Sequence, residues 1–170
     1  MHHRTPHKHL IWAGLLLGIG LGGFFDGIVL HQILQWHHML TSQGNYPATT
    51  VAGLEVNTLW DGFFHAFTYV ATIVGLFLLW NAARQPHTTW STKLLIGLLL
   101  MGWGSFNLVE GVIDHQILGI HHVNEKAPPE QWPWWDLAFL VWGAIMLLGG
   151  WRLARAGEAV QAAVEGRDER

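Results

Sequence analysis

Four long stretches of this chain, 10–40, 59–83, 94–118 and 134–151, contain no Lys or Arg, and their only acids are Asp26, Asp61, Glu110, Asp114 and Asp136. Each is close to the roughly 20 apolar residues needed to cross a bilayer, and the segments between them are short, polar and Pro-containing. The rest of the composition agrees. Hydrophobic residues make up 51% of the 170 and charged residues only 12%, against roughly 25% charged in an ordinary soluble domain. A chain like this cannot build an aqueous surface. The expected fold is all-α: a polytopic, four-helix membrane bundle over 10–151, between a His-rich start (1–9) and a charged, Ala-rich tail (152–170).

The first stretch is too long for the core of a secretory signal, about 7 to 15 apolar residues, and it lacks a small-residue cleavage site. It is therefore expected to remain as a span. The absence of Cys excludes disulfides, Cys-ligated zinc and iron-sulfur clusters. A net charge of −3 with no basic stripe argues against nucleic acid as a partner. Arg4, Lys8, Arg84, Lys93, Arg152 and Arg155 lie on one side of the spans and only Lys126 on the other. The excess of cations predicts a multi-pass protein of the cell membrane (inner or plasma) with both termini in the cytoplasm. His2, His3, His7 and His9 read as part of a disordered tail.

An internal repeat carries most of the information. Residues 26–38 (DGIVLHQILQWHH) align without a gap on residues 110–122 (EGVIDHQILGIHH), 84 positions later, with seven of thirteen identical and an acid matched to an acid at the start. A fainter match joins Trp60-Asp61 to Trp135-Asp136. Two helix hairpins related by a pseudo-two-fold axis along the membrane normal would produce this pattern.

On these motifs the chain resembles a family of predicted bacterial four-span membrane proteins known only as domain of unknown function 2243. The resemblance covers roughly 10–151 and rests on Phe25-Asp26-Gly27, His31-Gln32, His37-His38, Asp61 with Phe64-His65, Glu110-Gly111 and Asp114-His115-Gln116. It implies the four-span fold and no activity.

Acids and imidazoles inside hydrocarbon are expensive, and they normally face the bundle interior as paired groups, ion sites or relays. On an α-helical wheel His31 and His38 stand about 20° apart and about 10 Å along the axis, and Asp26 and His37 are again about 20° apart. Glu110, His115, His121 and His122 repeat these relations. Counting from the span ends puts His31, His65 and His115 at one level, with Asp26 and Glu110 deeper and His38, His122, Asp61 and Asp136 at the rim. His37 and His121 read as solvated boundary residues. The glycines at 18, 20, 22, 23, 97, 102 and 104 read as close-packing surfaces, and most of the Trp residues as interfacial belts.

Together these residues resemble a bundle-core metal site: His31, His65, His115, Asp26 and Glu110 with His38, His122, Asp61 and Asp136 around them. Imidazole with carboxylate and no thiolate suits Zn, Fe, Mn or Cu(II). A b-type haem between His31 and His115 fits less well, because acids stand beside the place of the macrocycle. The leading expectation is binding or delivery of a transition metal on the extracytoplasmic side, for example to a respiratory or surface metalloenzyme. The alternatives are a membrane-embedded metalloenzyme acting on a lipid or quinone, as an oxidoreductase or hydrolase, and a haem-based proton or electron conduit.

Overall fold

A computed structural model describes the backbone of residues 5–85 and 90–168 and the side chains of 8–85 and 90–160. Helix α1 (Thr5–Phe25) runs without a break into a π-helical segment, Asp26–Ile33, and helix α3 (Thr92–Glu110) runs likewise into a second one, Gly111–Ile117. Helix α2 spans Val51–Ala83, and a 3₁₀ turn at Pro129–Gln131 leads into α4, Trp132–Asp168. Among the described residues there is no strand. Of the His-rich start, the described part is helical from Thr5, and residues 1–4 lie outside the described residues.

Local chemistry sets the helix starts. The Thr50 hydroxyl accepts from the Gly53 N–H at 3.1 Å and the Ser91 hydroxyl from the Leu94 N–H at 3.3 Å, each satisfying a donor that the first turn leaves free. The ends of the two π-helical segments share one solution. Leu34 N donates to Val29 O (2.8 Å) and Trp36 N to Leu30 O (2.9 Å), and Leu118 N donates to Ile113 O (2.8 Å) and Ile120 N to Asp114 O (3.0 Å). Between these bonds the chain reverses through the left-handed region, at Gln35 (φ 49°) and at Gly119 (φ 56°). The second position has the residue that adopts this conformation freely; the first places a side chain there at a cost of roughly 1–2 kcal/mol.

Among the described residues four helices are long and apolar enough to cross a membrane: Lys8–Ile33, Val51–Ala83, Thr92–Ile117 and Pro129–Val160. The first stops short of the expected Leu40, because the chain leaves the helix at Leu34 and folds back. α2 and α4 instead begin before the expected residues 59 and 134, and α4 continues through the charged tail.

α1 packs on both α2 and α3, and α3 packs on α4, while among the described residues the backbones of α1 and α4 do not approach each other. α1 and α3 are thus the inner pair. Lipid removes most of the hydrophobic gain from helix association, so contact depends on backbones coming close. A Cβ on Gly18 would stand 2.9 Å from Gly102 Cα, and one on Gly102 would stand 2.9 Å from Gly18 Cα. Any side chain there would drive the inner helices apart. Gly97 meets Ala154, and Gly75 meets Leu17, in the same way. The outer helices turn large apolar residues outward, among them Phe63, Phe67, Phe77 and Trp80 on α2 and Trp142, Ile145 and Leu148 on α4. Leu10, Ala82, Leu94, Leu98 and Ala154 form an apolar core at one end of the bundle. The interior of the other end is polar.

Candidate metal centre

The polar end begins with the π-helical segments. In an α-helix residues five apart stand about 140° apart and cannot meet; closing the backbone ring at i+5 brings them to one side. His31 Nε2 accordingly lies 3.1 Å from Asp26 Oδ2, and His115 Nε2 lies 2.9 Å from Glu110 Oε1. The reversals at Gln35 and Gly119 then fold His37 and His121 back over these pairs. Both rings are buried, and they stack on each other at 4.5 Å between centroids, 6° from parallel. His37 lies edge-on to His31 at 4.3 Å, and His121 edge-on to His115 at 4.9 Å.

Three of the four rings are held by a hydrogen bond at the outer nitrogen. His37 Nδ1 donates to Val123 O at 2.8 Å, and His121 Nδ1 donates to Met39 O at 3.2 Å. A carbonyl only accepts, so in these two rings the proton is on Nδ1. His31 Nδ1 donates to Asp61 Oδ1 at 3.0 Å, and His115 Nδ1 faces Asp136 Oδ1 at 3.6 Å. Three Nε2 atoms face the two acids, that of His31 at 3.1 Å from Asp26 Oδ2 and those of His115 and His121 at 2.9 and 3.1 Å from Glu110 Oε1, while His37 Nε2 has no partner. Burial, reinforced by the neighbouring His121 and His31 rings, holds the His37 imidazole well below the usual histidine range, in its neutral form.

Inside, hydrogen bonding is incomplete. His31 Nε2, His37 Nε2, both nitrogens of His115 and Glu110 Oε2 are buried with no aligned partner. His31 and His115 are near their carboxylates in distance but not in line with them. Groups that face a common point rather than each other produce that geometry. The ligand atoms of His31, His37 and His121 lie within 4.8 Å of one another, and so do those of Glu110, His115 and His121.

Asp61 and Asp136 serve as clamps. Asp61 accepts from His31 Nδ1 and from Met39 N, each at 3.0 Å, and from His38 Nδ1 at 2.6 Å. Asp136 accepts from Val123 N at 3.0 Å and His122 Nδ1 at 2.7 Å. Buried Asn57 adds a further tie, accepting from Leu40 N at 2.8 Å and donating to Tyr46 O at 2.7 Å. The two connecting segments also bind each other, through Glu125 N to Trp36 O and Ser42 N to Ile120 O, both 3.0 Å.

Several expectations change with this geometry. His65 does not join His31 and His115 at one level: its Nδ1 donates to Asp61 O of its own helix at 2.7 Å, and its Nε2 packs against Gly27. Asp61 orients His31 and His38 instead of His65. His38 and His122 are half-buried at the rim, and their bonds go to the clamps. His37 and His121, expected to be solvated, occupy the centre. The signal for them was present in the paired His-His at the same offset in both halves, beside the residues where the chain reverses.

A cavity of about 310 Å³ opens between α1 and α4, beside α3, with lining residues from all three helices. Trp36, Trp103, Trp135 and Trp142 line it with Asn107 and Asp26. Asp26 and Asn107 are otherwise buried, so the cavity connects the apolar flank with a carboxylate of the cluster.

Residues 13–157 match the model of a family described as "Predicted membrane protein (DUF2243)", and the chain belongs to that family. Comparisons with curated proteins and with solved structures gave no match.

The clamps generate a stability prediction. Asp61→Ala leaves the His31 and His38 donors and the Met39 N–H without their acceptor. This should cost roughly 3–5 kcal/mol, read as a large fall in the thermal midpoint in detergent, with Asp61→Asn recovering part of it. An unchanged midpoint in Asp61→Ala would mean that the clamp does not hold the site.

Proposed function

We propose that this protein holds a transition metal in a His/carboxylate centre formed by His31, His37, His115, His121, Asp26 and Glu110, and that it binds or delivers metal on the extracytoplasmic side. One observation carries the reading: three buried imidazoles, His31, His37 and His121, are each turned by a protein acceptor on Nδ1, and a fourth, His115, is buried beside them with Nε2 2.9 Å from Glu110. Fixing a ligand's orientation through its other nitrogen is how proteins prepare histidines for metal. A purely protonic network does not satisfy this interior. With Nδ1–H of His37 on a carbonyl, its Nε2 is a bare lone pair with no hydrogen-bond partner. Imidazole and carboxylate together suit Zn, Fe or Cu(II). Haem is disfavoured, because Asp26 and Glu110 stand about 3 Å from the nitrogens that would have to face a porphyrin.

Elemental analysis of the detergent-purified protein should find stoichiometric Zn, Fe or Cu without a Soret band. His37→Ala and His121→Ala should lose that metal, while His65→Ala should keep it. Full metal content in His37→Ala, or a strong Soret band in the parent, would refute the centre as drawn.

The orientation belongs to the same reading, since the cation asymmetry puts the segments 34–50 and 118–128 outside. A membrane-impermeant thiol reagent added to intact cells should label Asn45→Cys and spare Arg84→Cys. The reverse pattern would turn the site toward the cytoplasm.

The cavity favours a second reading, a membrane-embedded metalloenzyme acting on a quinone-class or other lipid molecule. Four indoles suit a planar ring, and Asn107 and Asp26 offer an amide and a carboxylate to its oxygens. A short-chain quinone analogue should quench tryptophan fluorescence saturably, and Ala138→Trp, which fills the cavity, should abolish the effect. Absence of saturable quenching in the parent protein would leave binding and delivery as the function.

A further inference from the structure

We infer that the centre is dinuclear, with one ion on Asp26, His31 and His37 and a second on Glu110, His115 and His121; this rests on the metal-centre reading above and specifies its nuclearity. The first argument is reach. A metal bound to nitrogen at about 2.0–2.1 Å cannot span ligand atoms more than about 4.2 Å apart. Among the described residues the inward atoms gather into two groups of three, His31 with His37 and His121, and Glu110 with His115 and His121, even at the looser limit of 4.8 Å. One ion would serve one group and leave ligands of the other bare. His121 is common to both groups, but its Nδ1 is committed to Met39 O, so it offers a single nitrogen to one ion. Asp26 lies 3.1 Å from His31 Nε2 but outside the 4.8 Å groups, so the other ion takes His31 and His37 and draws Asp26 in from beside them.

The second argument is charge. Asp26, Glu110, Asp61 and Asp136 are all buried, and no Lys or Arg among the described residues is buried with them. Lys126, the cation nearest in sequence, is exposed and donates to Leu34 O. Asp61 and Asp136 each have a rim imidazole against them, which leaves Asp26 and Glu110 as one carboxylate for an ion in each set. The third argument is spacing. His37 and His121, one from each set, stack ring on ring at 4.5 Å between centroids, so the two sets lie side by side, as a two-metal site with ions roughly 3.5–4 Å apart requires. Each set is an acid followed at five and eleven positions by His, so the duplicated segment is one metal-binding unit used twice.

The test is stoichiometry and coupling in the full chain. Protein stripped with chelator and reloaded with Mn(II), which isolated surface histidines hold poorly, should take up two ions per chain after gel filtration. The paramagnetic resonance spectrum should be that of a spin-coupled pair. Glu110→Gln, chosen to keep the fold, should fall to one ion per chain with the six-line spectrum of isolated Mn(II). One ion per chain in the parent, or two without coupling, overturns the dinuclear inference and leaves the metal centre standing. No bound ion, with Zn(II) or Cu(II) as well as Mn(II), overturns both.

Discussion

Two carboxylates on the outer helices, Asp61 and Asp136, determine how the polar end of this bundle is arranged. Each takes the Nδ1 of a histidine at the rim, faces the Nδ1 of one in the cluster, and accepts a backbone N–H from a connecting segment. α2 is thereby fastened to the end of α1, and α4 to the end of α3. Unpaired carboxylates at these positions would cost several kcal/mol each. The donors that relieve this cost are the histidines themselves, so satisfying the clamps also orients the rings.

The orientation has a chemical consequence. A histidine whose Nδ1 donates outward can only present Nε2 inward, and His31, His37 and His121 do so here. The π-helical segments supply the rest, because an i to i+5 closure lets an acid and a histidine from one helix face the same point. π-helical turns interrupt regular helices at functional sites more often than elsewhere, and two occur here on the duplicated segment. The inner helices provide the rigid base, their backbones meeting at Gly18 and Gly102. Carboxylate and imidazole acquire fixed positions from packing far below the site.

Much of this was legible in the sequence. Charge-free stretches of spanning length predicted the four helices, and the spacing of acids and histidines in the repeat predicted a polar cluster containing His31, His115, Asp26 and Glu110. The glycines read as packing surfaces are where the helices touch. The α-helical wheel failed after residue 26, because it assumed 3.6 residues per turn through segments that wind more loosely and then reverse. That assumption placed His37 and His121 at the boundary and His65 in the ligand level. A left-handed Gln35 carries no clear signal of its own; Gly119, at the matching position, was the one visible hint of a reversal. The cavity depends on which helices pack backbone to backbone, and periodicity does not encode that.

The central claim is that buried imidazoles in this membrane protein share a metal. X-ray absorption at the edge of the metal that copurifies with the full chain tests it most directly, because the fine structure reports the ligands themselves. The account predicts a first shell of nitrogen and oxygen at about 2.0–2.1 Å with the outer-shell scattering of two or more imidazole rings. A first shell of oxygen alone, or the scattering pattern of a porphyrin, would contradict it.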